Sequence, residues 1–119
     1  MTKCLLCEEP LGIKTLSCDA CHTTYGGDFC FPRLARLAAG ERSLAESLIL
    51  HGGNLKEMAQ ALQISYPTLK KQLNALADSL RETIERDDQR IEVIFGEIEQ
   101  QTLTPQKGIK QIKEIKGEL

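Results

Sequence analysis

Two Cys-x2-Cys pairs, Cys4/Cys7 and Cys18/Cys21, stand within the first thirty residues of a 119-residue chain and limit what that segment can become. The segment holds all five cysteines, few other apolar residues, and turn-prone Glu-Pro, Leu-Gly and Gly-Gly steps, with no helical apolar period. So little apolar surface cannot offset the conformational entropy of thirty residues. Four thiolates on two tight turns satisfy a tetrahedral zinc ion and leave no open position, the pattern of a structural site rather than a hydrolytic one. The expected ligands are Cys4, Cys7, Cys18 and Cys21, in a small zinc ribbon whose folding free energy comes mostly from the metal. Ten residues separate the pairs, enough for a short hairpin between the two turns. Glu8 and His22 stand where many such turns carry glycine, so strain is expected there.

Other uses of the thiols remain open: iron in a rubredoxin-like site, a redox dithiol, or unliganded cysteines. Cys18-Asp19-Ala20-Cys21-His22 also matches the c-type haem attachment motif. Attachment would require export, for which the N-terminal residues offer no signal-like apolar segment, and it would leave Cys4 and Cys7 without a role. Cys30, between Phe29 and Phe31, reads as a small hydrophobe where the ribbon meets the helices, or as a spare ligand. Five thiols without a secretory segment suit a cytoplasmic chain, where the reducing pool keeps them free. No stretch approaches the roughly 18 apolar residues of a membrane span, so no membrane is expected.

From Phe31-Pro32 onward the texture is helical and the expected fold class is mainly α. Leu34, Leu37, Leu44 and Leu48 are spaced to line one side of two short helices broken near Gly40, and His51-Gly52-Gly53 ends them. Asn54 and Glu57 form a capping pair for a helix that would bury Leu55, Met58, Ala59 and Leu62 and end by Gln63-Ile64. Ser65 caps the next, Pro67 is tolerated in its first turn, and Leu69, Leu73, Leu76 and Leu80 continue it. Free of Gly and Pro from Thr68 to Phe95, it runs on through the charged stretch or pauses there. Ile91, Ile94, Phe95 and Ile98 fit an amphipathic helix. Thr104 with Pro105 opens a last one whose apolar side is Ile109, Ile112, Ile115 and Leu119. The expected organisation is a zinc ribbon over 1–30, a helix-turn-helix bundle with an extended third helix over 31–86, and a C-terminal αα-hairpin over 87–119 that buries too little to stand alone and serves oligomerisation.

Asn54 to Leu73 has the parts of a helix-turn-helix. Ala59 is small where the second helix approaches, Ile64 plugs the turn, and Leu69 and Leu73 anchor the next helix. Tyr66, Pro67, Thr68, Lys70 and Lys71 are then the exposed start of a recognition helix, the part that enters the major groove. The two lysines suit phosphate, and Tyr66 and Thr68 suit base edges or a thymine methyl. Lys56 adds a flanking contact, as Arg33, Arg36 and Arg42 could. Gln63 sits where such motifs usually have glycine, so it either takes the left-handed conformation or the turn differs. A three-helix bundle with a merely solvated polar face is the competing account.

Charge is uneven. The net charge is -2. Residues 1–30 carry two basic and four acidic side chains, residues 31–76 six and three, and residues 77–119 seven and ten. Only the middle is basic, where a DNA surface needs it.

The order Cys-x2-Cys, Cys-x2-Cys, Phe-Pro-Arg-Leu-Ala-Arg-Leu at 31–37, Gly-Asn-Leu-Lys-Glu at 53–57 and Ile-Ser-Tyr-Pro-Thr-Leu at 64–69 resembles an uncharacterised prokaryotic family, domain of unknown function 2089. The resemblance implies a zinc ribbon joined to a helix-turn-helix similar to that of Fis-like bacterial regulators. The tail from Ile94 to Ile115 also resembles a short oligomerising helical hairpin found at bacterial C-termini. What this implies is an architecture and a regulatory role, with no catalytic residue.

The expected function is a DNA-binding transcriptional regulator with a structural zinc site. Its partners are DNA, a second copy or a higher homo-oligomer formed through the Leu69–Leu80 helix, the hairpin or both, and a protein docked on the ribbon. The alternative is a zinc-ribbon adaptor that binds protein without reading DNA. No enzyme is expected: Asp87-Asp88 lies in a charged helical stretch that reads as a solvated face, and no phosphate-cradling loop or nucleophile-base set appears.

Overall fold

The computed structural model describes residues 2–117. Strands β1 (Ile13–Ser17) and β2 (Thr24–Phe29) come first, then a 3-10 turn over Arg33–Arg36 and helices α1 (Ala39–Leu50), α2 (Leu55–Leu62), α3 (Tyr66–Glu99) and α4 (Pro105–Ile115). The fold is mainly α with one two-stranded antiparallel sheet. None of the described helices is long and apolar enough to cross a membrane. Two compact units form, Leu37–Glu85 in one and the residues on either side of it in the other, and α3 contributes to both.

In the Leu37–Glu85 unit the core is Met58, Ala59 and Leu69, with Leu44, Leu48, Leu55, Ile64 and Leu73 packed against it. Leu37 and Leu76 are buried as well. The leucine series of α3 therefore faces inward. Leu34 and Leu62, expected inside, are exposed. The helical break falls at Leu37-Ala38 rather than near Gly40, because Ala38 is the N-terminal cap of α1 and its N–H donates to the Glu41 carboxylate at 3.2 Å. At the far end of α1, Gly52 and Gly53 take positive φ and stop the helix.

The other unit holds the strands, the 3-10 turn, the C-terminal part of α3 and α4. β1 and β2 flank the second cysteine pair, with Ser17 opposite Thr24 and a bulge between Ile13 and Thr15 in the register. The strand pair thus wraps the second turn, where a hairpin between the two turns was expected. α3 continues without a pause to Glu99, and Thr104 caps α4 by accepting from the Lys107 N–H, with Pro105 in its first turn. Gly108 and Ile115 are the buried residues of α4. A Cβ on Gly108 would run into the Ile98 side chain at Cδ1 and Cγ1, so glycine lets the helices approach this closely with Ile98 in its present position. Ile109 and Phe95, expected inside, are exposed, since each lies about 100° around its helix from a buried neighbour, Gly108 or Ile94. Leu119 lies outside the described residues.

Asp87 overturns the solvated-face expectation: its side chain is fully buried, whereas Asp88 is exposed. Arg36 donates to Asp87 from Nη1 at 2.8 Å and Nη2 at 2.5 Å, and Arg33 donates from Nε at 3.1 Å. Burial alone would push the carboxyl up, but the hydrogen bonds from Arg36 and Arg33, with their charges, outweigh it and hold the group below its ordinary 3.8. That stabilisation is full above the ordinary value and is lost as pH falls through the lower folded value. Asp87→Asn should cost about 3 kcal/mol in denaturant unfolding, by leaving two guanidinium groups uncompensated, and should remove this component of acid unfolding. A cost under about 0.5 kcal/mol, the range of a surface substitution, would show that the pair is not needed.

Candidate nucleic-acid interface and cysteine turns

The helix-turn-helix is built from four local signals. Asn54 caps α2 by accepting from the Glu57 N–H at 3.2 Å. Gln63 closes α2 in the left-handed conformation, φ 57° and ψ 40°, so the turn keeps its usual shape without glycine. The Ile64 N–H then donates to the Ala59 carbonyl at 3.1 Å, which seats Ile64 against the core. Ser65 opens α3: its Oγ accepts from the Thr68 N–H at 3.3 Å and pairs with the Thr68 hydroxyl at 2.8 Å.

With Leu69 fully buried, the rest of the first turns of α3 points outward. Tyr66, Pro67, Thr68, Lys70 and Lys71 are all exposed, as is Lys56 in the first turn of α2. None of these three lysines takes part in an ion pair among the described residues, so their charges are available to an anion. Thr68 is less available than the sequence suggested, because its hydroxyl is engaged by the cap. The expected flanking arginines are also committed elsewhere: Arg33 and Arg36 bind Asp87, and Arg42 donates to the Leu37 carbonyl at 2.9 Å.

The cysteine turns share one backbone pattern. The Cys4 N–H donates to the Glu9 carbonyl and the Glu8 N–H to the Cys4 carbonyl, at 2.9 and 3.0 Å. Cys18 and His22 repeat this, Cys18 donating to the Thr23 carbonyl at 2.9 Å and His22 to the Cys18 carbonyl at 2.8 Å. Glu8 and His22 both have positive φ, 62° and 60°, the strained positions expected from the spacing. Each turn closes an antiparallel pairing, a Lys3–Pro10 bridge around the first and the β1–β2 ladder around the second.

Within each turn the donors stabilise thiolate. Cys4 is lowered by the Leu6 and Cys7 backbone N–H groups and then by the Cys7 thiol, and Cys21 by the Thr23 hydroxyl, the Thr23 backbone and then the Cys18 thiol. The pairs are thus brought together two by two. The four sulfurs are not gathered further: among the described residues no three His, Cys, Asp or Glu side chains converge as a metal site. Half-buried Cys30 lines a cleft with Ile94 and Ile115.

The arrangement of α2, turn and α3 is that of a helix-turn-helix protein. Residues 37–83 match the model of a family described as Domain of unknown function (DUF2089)-HTH. The match covers the whole α1–α2–turn segment and the first half of α3, and includes every residue placed in the candidate interface. No curated protein and no solved structure matches the chain.

The left-handed Gln63 yields a direct test of the turn. Gln63→Gly should stabilise the chain by up to about 1 kcal/mol in thermal or denaturant unfolding, by removing the Cβ penalty of that conformation. Loss of stability instead would mean that Gln63 does not hold a left-handed cap in solution.

Proposed function

We propose that the chain is a DNA-binding transcriptional regulator whose N-terminal segment is a ribbon stiffened by zinc. The observation that carries the DNA reading is the start of α3: Tyr66, Pro67, Thr68, Lys70 and Lys71 are exposed on one short stretch, with Lys56 on α2, and these lysines have no anionic partner among the described residues. The matching family's helix-turn-helix description supports it. The lysines neutralise phosphates and fix the register, while Tyr66 meets base edges and Thr68, its hydroxyl held by Ser65, offers its methyl to a thymine methyl. Pairing with a second copy doubles a modest basic surface and sets two reading heads on one duplex. The reading places the chain in the cytoplasm and assigns no catalytic residue.

Zinc would be held by Cys4, Cys7, Cys18 and Cys21. The donor chemistry fits: two turns of the same backbone form each present two sulfurs, and in each a thiol is biased toward the thiolate that zinc binds. The ion would supply charge neutralisation and a cross-link between the two turns. The chain's own residues set the turns and their strain.

A second reading, the protein-binding adaptor, is favoured by the tip of the first turn. Leu5 and Leu6 are 82% and 96% exposed between Cys4 and Cys7, and the acidic Glu8 and Glu9 beside them repel phosphate.

Duplex binding selected from random sequence should show a salt dependence that Lys70→Glu with Lys71→Glu reduces by about two phosphate contacts' worth of slope. A slope near zero in the wild type, or no preference among sequences, removes DNA reading and leaves the adaptor. Native mass spectrometry should find one zinc per chain, and chelation should abolish order in residues 1–30 by NMR while the α1–α3 signals persist. A metal-free chain fully ordered over those residues would remove the zinc.

A further inference from the structure

Phe95 on α3 and Ile109 on α4 are large apolar side chains left 53% and 55% exposed. The seam between these helices runs through Ile94 and Ile98 on one side and Gly108 and Ile115 on the other. One flank of the seam is a cleft lined by Arg90, Val93 and Glu97 from α3 and by Gln111 and Glu114 from α4. At about 100° per residue, Phe95 falls on the other flank of α3 and Ile109 on the other flank of α4, so both look out from the face opposite the cleft.

The charges on that opposite face are sorted by helix. Asp88, Glu92 and Glu99 flank Phe95 on α3, and Lys113 and Lys116 follow Ile109 on α4. All five are exposed, and none belongs to an ion pair among the described residues. The face is therefore apolar at its centre, acidic along one helix and basic along the antiparallel one.

We propose that this face docks on the same face of a second copy of the chain, with α3 of one copy packed on α4 of the other. Two two-fold arrangements can bring such a face against itself. An axis perpendicular to the helices lays α3 on α3 and α4 on α4, acid against acid and base against base. An axis parallel to the helices lays α3 on the partner's α4 and keeps each residue at its own height, so Glu92 and Asp88 come level with Lys113 and Lys116 of the partner and Phe95 and Ile109 are buried at the centre of an antiparallel four-helix bundle. Charge selects the second. This gives the self-association in the proposed regulator a surface and an orientation. It rests on that reading only for its use, since the contact forms with or without DNA.

Sedimentation of the full chain should find a dimer at concentrations up to about 100 µM. Asp88→Lys with Glu92→Lys should raise the dissociation constant at least about tenfold, as should Lys113→Glu with Lys116→Glu, and the four substitutions together should restore it to within about threefold. Phe95→Ala, which changes no charge, should also weaken the dimer about tenfold, with unchanged helical circular dichroism. A monomeric wild type, a dimer indifferent to both reversals, or a fourfold variant that fails to re-associate overturns the proposal. A dimer that follows this pattern yet binds no duplex would sink the DNA reading and leave the interface standing.

Discussion

A carboxylate removed from water needs a full set of donors, and Asp87 takes its set from Arg36 and Arg33. This ties the short 3-10 turn that follows the strands to the C-terminal part of α3, across more than fifty residues of sequence. Between them the two arginines leave Asp87 with three hydrogen bonds, while Arg36 Nε is buried without a partner among the described residues. The strands contribute little burial of their own, and most of their residues are exposed. The unit is thus held by one ion cluster and by a narrow helix seam, Ile94 and Ile98 against Gly108 and Ile115. Such a small apolar store explains why an additional cross-link between the cysteine turns is attractive on energetic grounds.

Features encoded within one turn of chain were legible in the sequence. The caps at Asn54, Ser65 and Thr104 depend on a side-chain oxygen reaching an N–H three residues on, so their placement is local. The left-handed positions at Glu8, His22 and Gln63 follow from turn geometry in the same way. The inward stripe of Leu69, Leu73 and Leu76 follows from helical period. The exposed residues at the start of α3 were legible as the remainder of that stripe, and the cysteine turns as the spacing of the sulfurs.

The misreadings have a common physical cause. Asp87 lies seven residues after Leu80 and seven before Ile94, so its position on the helix is a core position even though its residue type argues for solvent. Only the approach of two arginines from a distant segment decides the matter, and nothing local to Asp87 encodes that. The same event removed Arg33 and Arg36 from the set of cations free to meet phosphate. Phe95 and Ile109 were placed inside because periodicity defines an apolar arc, not how much of it a single partner helix can cover. The pairing of β1 around the second cysteine turn was missed because the residues on either side of both turns are equally able to extend.

Gly108 shows what a thin seam asks of a sequence. A helix interior normally disfavours glycine by about 1 kcal/mol relative to alanine, yet here the missing methyl is what admits Ile98. Drift at this position is one-sided, since each heavier residue must displace the Ile98 side chain or push the helices apart. In other chains ending in a lysine-rich amphipathic helix after Thr-Pro, a solitary glycine one turn into that helix, opposite an isoleucine near the end of the preceding one, would be the mark of the same close-set pair.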